Sequence, residues 1–359
     1  MSAPTAAPAR WVRRDELAKA GLRPGTAKGL LRIDPTGSVA VPLGPTEVPE
    51  ARALTAETLQ AAGVKASDRV VVALNSDGDL GGALIAEAAA EVAAAAVAPG
   101  PRGRMRLLKV IEAVRGSVLV ITPTGAADFL ARLHLEFLVD PLDLELRLLV
   151  LTGEVGDERT RAHLAKEFGA TVVELWTDPV TTVPVARREG DTLVETRPGT
   201  LHLLGAEKDE VTPGEPAEIA VAHPWLAALA GTGVRTGYLV TAPAEGDAVP
   251  APAQTGGDLL LVRGRWLSIA ALTKALRGID GISHWRLDVA REGTLDAATL
   301  TVSFNRASLV QNGMWRGRIQ QTLATLTPVS IAVEIDPEVR ETPQPPVIAD
   351  ARGQHVGTP

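Results

Sequence analysis

Few residues in this chain are equipped for chemistry. Its single tyrosine, Tyr238, stands in "GTGVRTGYLVTAP" (Gly231–Pro243), a glycine-rich turn running into an apolar strand, a common place for a ligand contact. Cysteine is absent, which removes disulfides, thiolate nucleophiles and Cys-type zinc sites. The histidines, His134, His163, His202, His223, His284 and His355, are scattered. No two have helical metal-ligand spacing, so each is expected at the surface or at a cap, and no metal site is read. "NSDGD" (Asn75–Asp79) is close to a calcium loop, but an EF-hand begun at Asn75 needs Glu where Ala86 stands. A helix cap suits it better. "GTAK" (Gly25–Lys28) and "GTGVRTG" lack the spacing of phosphate and dinucleotide loops. Gly-x-Ser-x-Gly is missing, and Asp140 and Asp143 in "DPLDLE" suit a turn cap rather than a catalytic pair.

Composition narrows the classes further. A chain of 359 residues, 45% hydrophobic and 22% charged, implies a globular protein of two or more domains. The net charge of −7, with no long basic run, argues against nucleic acid as a partner. The N-terminus lacks a signal-peptide core, and the apolar run Ala83–Ala98 carries Glu87 and Glu91 and is too short to span a bilayer. A cytoplasmic protein without membrane contact is expected.

The elements that must position these residues follow from hydrophobic period. Residues 1–54 are rich in Pro, Gly and Ala and are expected to form an irregular arm with one or two short helices. Residues 55–179 alternate strand and helix. Strands are expected at Arg69–Leu74, Val118–Ile121, Arg147–Leu151 and Thr171–Leu175. Helices are expected over the Ala-rich run and at Met105–Val114, Thr124–Phe137 and Asp157–Phe168. Short apolar runs between helices mark a doubly wound, parallel α/β unit, whose ligands sit beyond the carboxyl ends of the strands. Those ends are Asn75–Asp79, Thr122–Thr124, Thr152–Glu154 and Trp176–Pro179. Residues 180–242 read as a β-rich subdomain, 243–257 as a Pro/Ala/Gly linker, and 258–359 as a small α+β domain with a poorly packed Pro-rich tail.

Taken in order, several segments resemble the phenylacetate-CoA ligase branch of the adenylate-forming (acyl-CoA synthetase) superfamily. They are "LQAAGVKASDRVVVAL", "RGSVLVITPTGAADFLARL", "LLVLTGEVGDERTRAHLAKEFGATVVELWTDPVTTVPVA", "PGEPAEIAVAHP", "GVRTGYLV", "GGDLLLVRGRWLSIAALTKAL" and "HWRLDVAREGTLDAATLTVSF". The likeness covers about residues 55–350. It implies a nucleotide or ligand pocket around Gly153, Glu154, Trp176, Thr177, Asp178 and Tyr238, with Trp176 where an aromatic normally stacks on adenine. It also implies a hinge at Asp258, Arg263 and Gly264, and a mobile C-terminal domain. In such enzymes a carboxylate attacks ATP to give an acyl-adenylate, and coenzyme A then takes the acyl group.

Four ATP-handling elements depart from that pattern. The phosphate loop is reduced to a remnant, Thr36, Gly37 and Ser38, followed by Val39, Val41, Pro42 and Leu43, which offer few donors. The metal-linked glutamate falls at Asp178 or Val180. Tyr238 replaces the acid that binds the ribose diol, and a phenol cannot chelate as a carboxylate does. The adenylation lysine is gone, since the last lysine is Lys274 and "RETPQPPVIAD" offers only Arg340. Losing that charge typically lowers the rate by ~10²–10³-fold. The expectation is therefore a ligase-like protein with no catalytic residues. It would bind an aryl or acyl acid, an adenylate or a thioester, or partner an active ligase or a second copy. The alternative is a working acid–CoA ligase using ATP, Mg2+ and coenzyme A.

Overall fold

A computed structural model describes residues 8–20, 30–33, 40–75, 81–205, 209–244 and 248–357. The chain divides into two compact units, Met1–Ala253 and Gln254–Pro359. Thr36, Gly37 and Ser38, and likewise Ser76–Asp79, lie outside the described residues.

The N-terminal arm is more ordered than its composition suggests. It supplies β1 (Arg10–Arg13), α1 (Arg14–Ala20), β2 (Leu30–Ile33) and β3 (Ala40–Leu43) before α2 (Glu47–Ala61). The α/β unit continues with β4 (Arg69–Val72), α3 (Gly82–Val92), β5 (Ala95–Val97), α4 (Arg104–Val114), β6 (Val118–Ile121) and α5 (Pro123–Arg132). It closes with β7 (Leu148–Thr152), α6 (Glu158–Phe168) and β8 (Thr171–Thr177). Strands β9 (Pro184–Glu189), β10 (Thr192–Glu195), β11 (Leu201–Gly205), β12 (Pro216–Ala222), β13 (Thr232–Thr241) and β14 (Val249–Pro250) follow. One sheet runs β14-β10-β9-β8-β7-β6-β4-β5. Its parallel half runs from β5 to β8; β4, β6, β7 and β8 are the apolar runs read from the sequence, with all of β6 and β7 buried. One apolar cluster around Phe129 and Phe168 covers one face, and another around Leu59 and Ile85 covers the other, as both-faced burial of a parallel sheet requires. Strands β11, β12 and β13 pair antiparallel, and β1 adds to β13 in parallel.

Two local expectations are corrected here. The Ala-rich run is not one helix to Ala98: α3 stops at Val92, and β5 pairs with β4. Asn75 does not cap α3; Gly81 does, with φ +62, and the carbonyl of Asn75 accepts from the N–H of Gly82 at 2.9 Å. A Cβ at Gly81 would stand 2.5 Å from the carbonyl oxygen of Thr182, so only glycine lets the two turns meet.

The C-terminal unit contains β15 (Gln254–Gly256), β16 (Leu259–Val262), β17 (Arg265–Ser268), α7 (Ile269–Arg277), β18 (Ile282–Glu292) and β19 (Leu295–Phe304). After them come α8 (Ala307–Val310), α9 (Met314–Leu326), β20 (Ile331–Ile335), β21 (Val347–Asp350) and β22 (His355–Val356). The order β20-β19-β18-β21 forms its sheet around a core of Leu287, Leu300, Phe304, Ile319 and Val333. The Pro-rich tail is thus drawn into the sheets as strands, while its residues stay exposed or half-buried. Strand β21 lies parallel to β18, and β22 pairs with β15. Arg352 fixes it: its side chain is 3% exposed and bonds Asp296 at 2.6 Å, Asp350 at 2.9 Å and the carbonyl of Leu261 at 2.9 Å. Among the described residues no helix is long and apolar enough to cross a membrane.

Breaking a buried ion pair by removing one partner strands the other charge. An Arg352→Ala variant is expected to lose about 3–5 kcal/mol of stability in the C-terminal unit. Urea unfolding followed by the fluorescence of Trp266, Trp285 and Trp315 measures it. A loss below about 1 kcal/mol, the worth of an exposed pair, contradicts this role for the tail.

Candidate functional site

The carboxyl edge of the large sheet gathers the candidate residues of the first unit. Thr122 caps α5 through Gly125, and the next turn places Thr124 against Glu154. The Glu154 carboxylate accepts from the Thr124 amide at 2.8 Å and its hydroxyl at 2.6 Å, which ties the Gly153–Glu154 turn after β7 to the start of α5. Thr152 and Thr177, at the ends of β7 and β8, share a buried hydroxyl bond of 2.7 Å.

Strand alternation puts Glu174 and Trp176 on one side of β8, and Asp178 follows just past its end. Glu174 sits among Arg161 at 2.9 Å, Arg188 at 3.5 Å and the amide of Gly156 at 3.4 Å. Burial raises its carboxyl above the ordinary range and outweighs the two arginines. Trp176 is 5% exposed and meets Tyr238 edge to face, with ring centroids 5.8 Å apart. Tyr238 reaches that position through a bulge: Thr236, Gly237 and Tyr238 together oppose Ile219 alone, between the pairs Glu218–Leu239 and Ala220–Arg235. Gly237, at φ +83, supplies the backbone the bulge needs, and Glu218 holds its amide at 2.7 Å. Tyr238 is also 5% exposed. Burial pushes its phenol upward, and Glu174, Glu154 and Asp178 add to that against the opposing charge of Arg14.

Asp178 has no exposed surface. Its carboxylate accepts from His223 Nε2 at 2.8 Å, from the amides of Val180 at 3.0 Å and Thr181 at 3.1 Å, and from the Thr181 hydroxyl. Burial alone would raise it, but His223 and these donors hold it below its ordinary value of 3.8. Every face of this carboxylate is engaged, which leaves it unsuited to a metal ion. Among the described residues no cluster of three metal-ligating side chains occurs. Val180, the other alignment of the family's glutamate, packs in an apolar cluster with Val41, Leu43, Leu226 and Val234. The second half of the phosphate-loop stretch is therefore a core strand, with Val41 and Leu43 buried.

The remaining predicted residues belong to the C-terminal unit. Asp258 caps α7, taking the Ser268 hydroxyl at 2.8 Å and the Ala270 amide at 2.5 Å. Arg263 and Gly264 form the tip of the β16–β17 hairpin, at φ +51 and +70. The strand β16 lies between them and Asp258, so the three do not share one site. Arg340 bonds Gln344 at 2.9 Å and lies 3.4 Å from Asp336, within its own turn. Lys274 is exposed on the last turn of α7.

Sequence reasoning missed Glu174, Arg14 and His223. His223 is 3% exposed and His284 9%, against the expectation of surface or capping histidines. One signal was available for Glu174: it interrupts the apolar run "TVVELW", and a lone acid in a buried strand needs a partner. The indole N–H of Trp176 and Nδ1 of His223 are buried with no hydrogen-bond partner among the described residues.

No protein-family model matches the chain, and no curated protein does. Solved structures do. A 2-hydroxyisobutyryl-CoA ligase with 2-HIB-AMP and CoA, in the thioesterification state, superposes with a TM-score of 0.70 at 16% identity, covering 87% of this chain and 71% of that one. The same ligase in the postadenylation state gives 0.59 over 95% and 80%, also at 16% identity. The amide bond synthetase McbA from Marinactinospora thermotolerans gives 0.64 at 14% identity, over 86% and 65%. These likenesses give the chain the fold of the adenylate-forming ligases.

Replacing Asp178 with Asn removes the charge that four donor contacts were built around. Asp178→Asn is expected to cost about 3–5 kcal/mol. The sign with pH follows from the depressed folded value. The contribution is complete above the ordinary aspartate range and is lost as pH falls through and below 3.8. In urea titrations between pH 7 and 3, wild type should lose more stability than Asp178→Asn. Parallel curves would contradict a charged Asp178.

Proposed function

We propose that this chain is a phenylacetate-CoA-ligase-like protein that no longer adenylates an acid. It binds an acyl or aryl acid, or its adenylate or thioester, or serves an active ligase as a partner. The observation that carries this is the edge-to-face packing of Trp176 on Tyr238, each 5% exposed, where the resemblance puts adenine and ribose. Two further features support it. Asp178 is saturated by His223 and its own turn, and the phosphate-loop stretch ends in core packing at Val41 and Leu43. The orphaned Trp176 N–H and His223 Nδ1 suit a ligand with a small polar group.

A working acid–CoA ligase is the second reading. What favours it is the built Gly153–Glu154 turn, anchored on Thr124, beside the Thr152–Thr177 contact. The two differ in ATP. The first expects no exchange of labelled pyrophosphate into ATP with any aryl or acyl acid and no shift in melting temperature with ATP-Mg2+. It also expects a positive shift with an acid, adenylate or thioester from a panel. Exchange above the no-enzyme background overturns it. Calorimetry that finds no ATP-Mg2+ binding removes the second.

A further inference from the structure

Two surfaces carry features the site does not use. The first follows α5. A π-helical turn, Leu133–Phe137, ends at Leu138 with φ +53, and a 3-10 helix, Pro141–Leu144, comes next. Leu133, Leu144 and Leu146 enter the core. Leu135, Leu138 and Leu142 point outward instead, 80%, 84% and 55% exposed. A leucine in the left-handed region is strained, and here the strain presents an apolar side chain to water. Glu136, Asp140, Asp143 and Glu145, all exposed, surround these leucines in sequence.

The second surface is the start of α9. Met314 is 79% exposed, Arg316 and Arg318 are exposed, and the Arg318 guanidinium lies 5.2 Å from the centre of the half-buried Trp315 ring. From Ala297 to Val333 the chain has Arg306, Arg316 and Arg318 and not one acid. In a chain of net charge −7 this is a local inversion.

We propose that the acid-rimmed leucine surface of one copy receives the Met314–Arg318 face of α9 from a second copy. The leucines would bury Met314 and the edge of Trp315, while Arg316 and Arg318 would face the carboxylates. Opposite charge around an apolar centre fixes orientation as well as attraction. Each copy carries both halves, so the two surfaces are complementary between copies of the same chain. Glu136 is already paired with Arg132 at 2.8 Å, but leucine-to-leucine pairing would instead bring Asp140, Asp143 and Glu145 of both copies together, and anionic lipid would meet the same repulsion.

The absence of cysteine makes the test direct. Leu138→Cys and Met314→Cys are made separately, mixed and treated with a short thiol crosslinker. A covalent dimer is expected from the mixture, with little from either variant alone. Sedimentation should show a wild-type dimer that weakens with added salt. Leu138→Gly should raise the dissociation constant about tenfold or more. Its melting temperature should not fall, because glycine accepts this φ without strain. The proposal is overturned by a wild type that stays monomeric at high concentration. It is equally overturned by crosslinking of Leu138→Cys alone as fast as the mixture, or by flotation on neutral vesicles that Leu138→Gly abolishes while no dimer forms.

Discussion

A carboxylate cut off from water must find every hydrogen bond inside the protein, and the shape of the candidate site depends on how Asp178 does so. Its two oxygens pull the following turn inward through Val180 and Thr181 and reach 45 residues on to His223. That single contact joins the carboxyl edge of the parallel sheet to the loop between β12 and β13. Once the turn is drawn in, Val180 enters the apolar cluster shared with the N-terminal arm. Thr182 takes φ +60, an uncommon conformation for a β-branched residue, and packs on Gly81. Trp176, two residues before Asp178, is then held where Tyr238 meets it. The buried charge is what holds the strained turn, while the bulge at Gly237 brings Tyr238 to the indole.

What could be read from sequence was local. Strands β6, β7 and β8 announce themselves as apolar runs between turn residues, and Asp157 and Gly169 bracket α6 as cap and stop. The order of segments gave the ligase fold, which structural superposition supports at identities too low for any single segment to be decisive. The site was legible only as a set of positions. Gly153, Glu154, Trp176, Thr177, Asp178 and Tyr238 do converge on one edge, but their roles depend on partners distant in the chain. Nothing in "AVAHPW" says that His223 faces Asp178, and nothing in the arm says that the charge of Arg14 acts on Tyr238. Asp258, Arg263 and Gly264 are close in sequence, yet Asp258 lies at the base of the hairpin and Arg263 and Gly264 at its tip, with the four residues of β16 between them.

The Pro-rich tail shows the same limit from the other side. Composition argued for a loose end, since prolines donate no amide and favour extended chain. Extended chain is also what an added strand requires. After Pro345 and Pro346 the chain runs straight into β21, and one arginine does what an apolar residue cannot: Arg352 links β21 to the β16–β17 hairpin and to the β18–β19 turn through Asp350, Leu261 and Asp296. The segment where the resemblance seeks a lysine is consequently part of this sheet's edge, and its only cation, Arg340, is committed to Asp336 and Gln344.

Magnitudes decide whether the ring contact could simply yield to a nucleotide. Exposing a buried large apolar side chain costs roughly 1.5–3 kcal/mol, so about 3–6 for Trp176 and Tyr238 together. A micromolar site corresponds to about 8 kcal/mol of binding. Subtracting the opening leaves about 2–5 kcal/mol, a dissociation constant near or above a millimolar. The donors that normally offset such a loss are a phosphate cradle, a ribose carboxylate and a lysine. At the described positions these are Val41 and Leu43 in the core, a phenol, and a self-paired Arg340. A ligand that needs none of the three, and only a partner for an indole N–H or an imidazole nitrogen, faces a much smaller deficit. On that asymmetry, more than on any single substitution, rests the proposal that the ligand is an acyl or aryl acid, or its adenylate or thioester, rather than ATP.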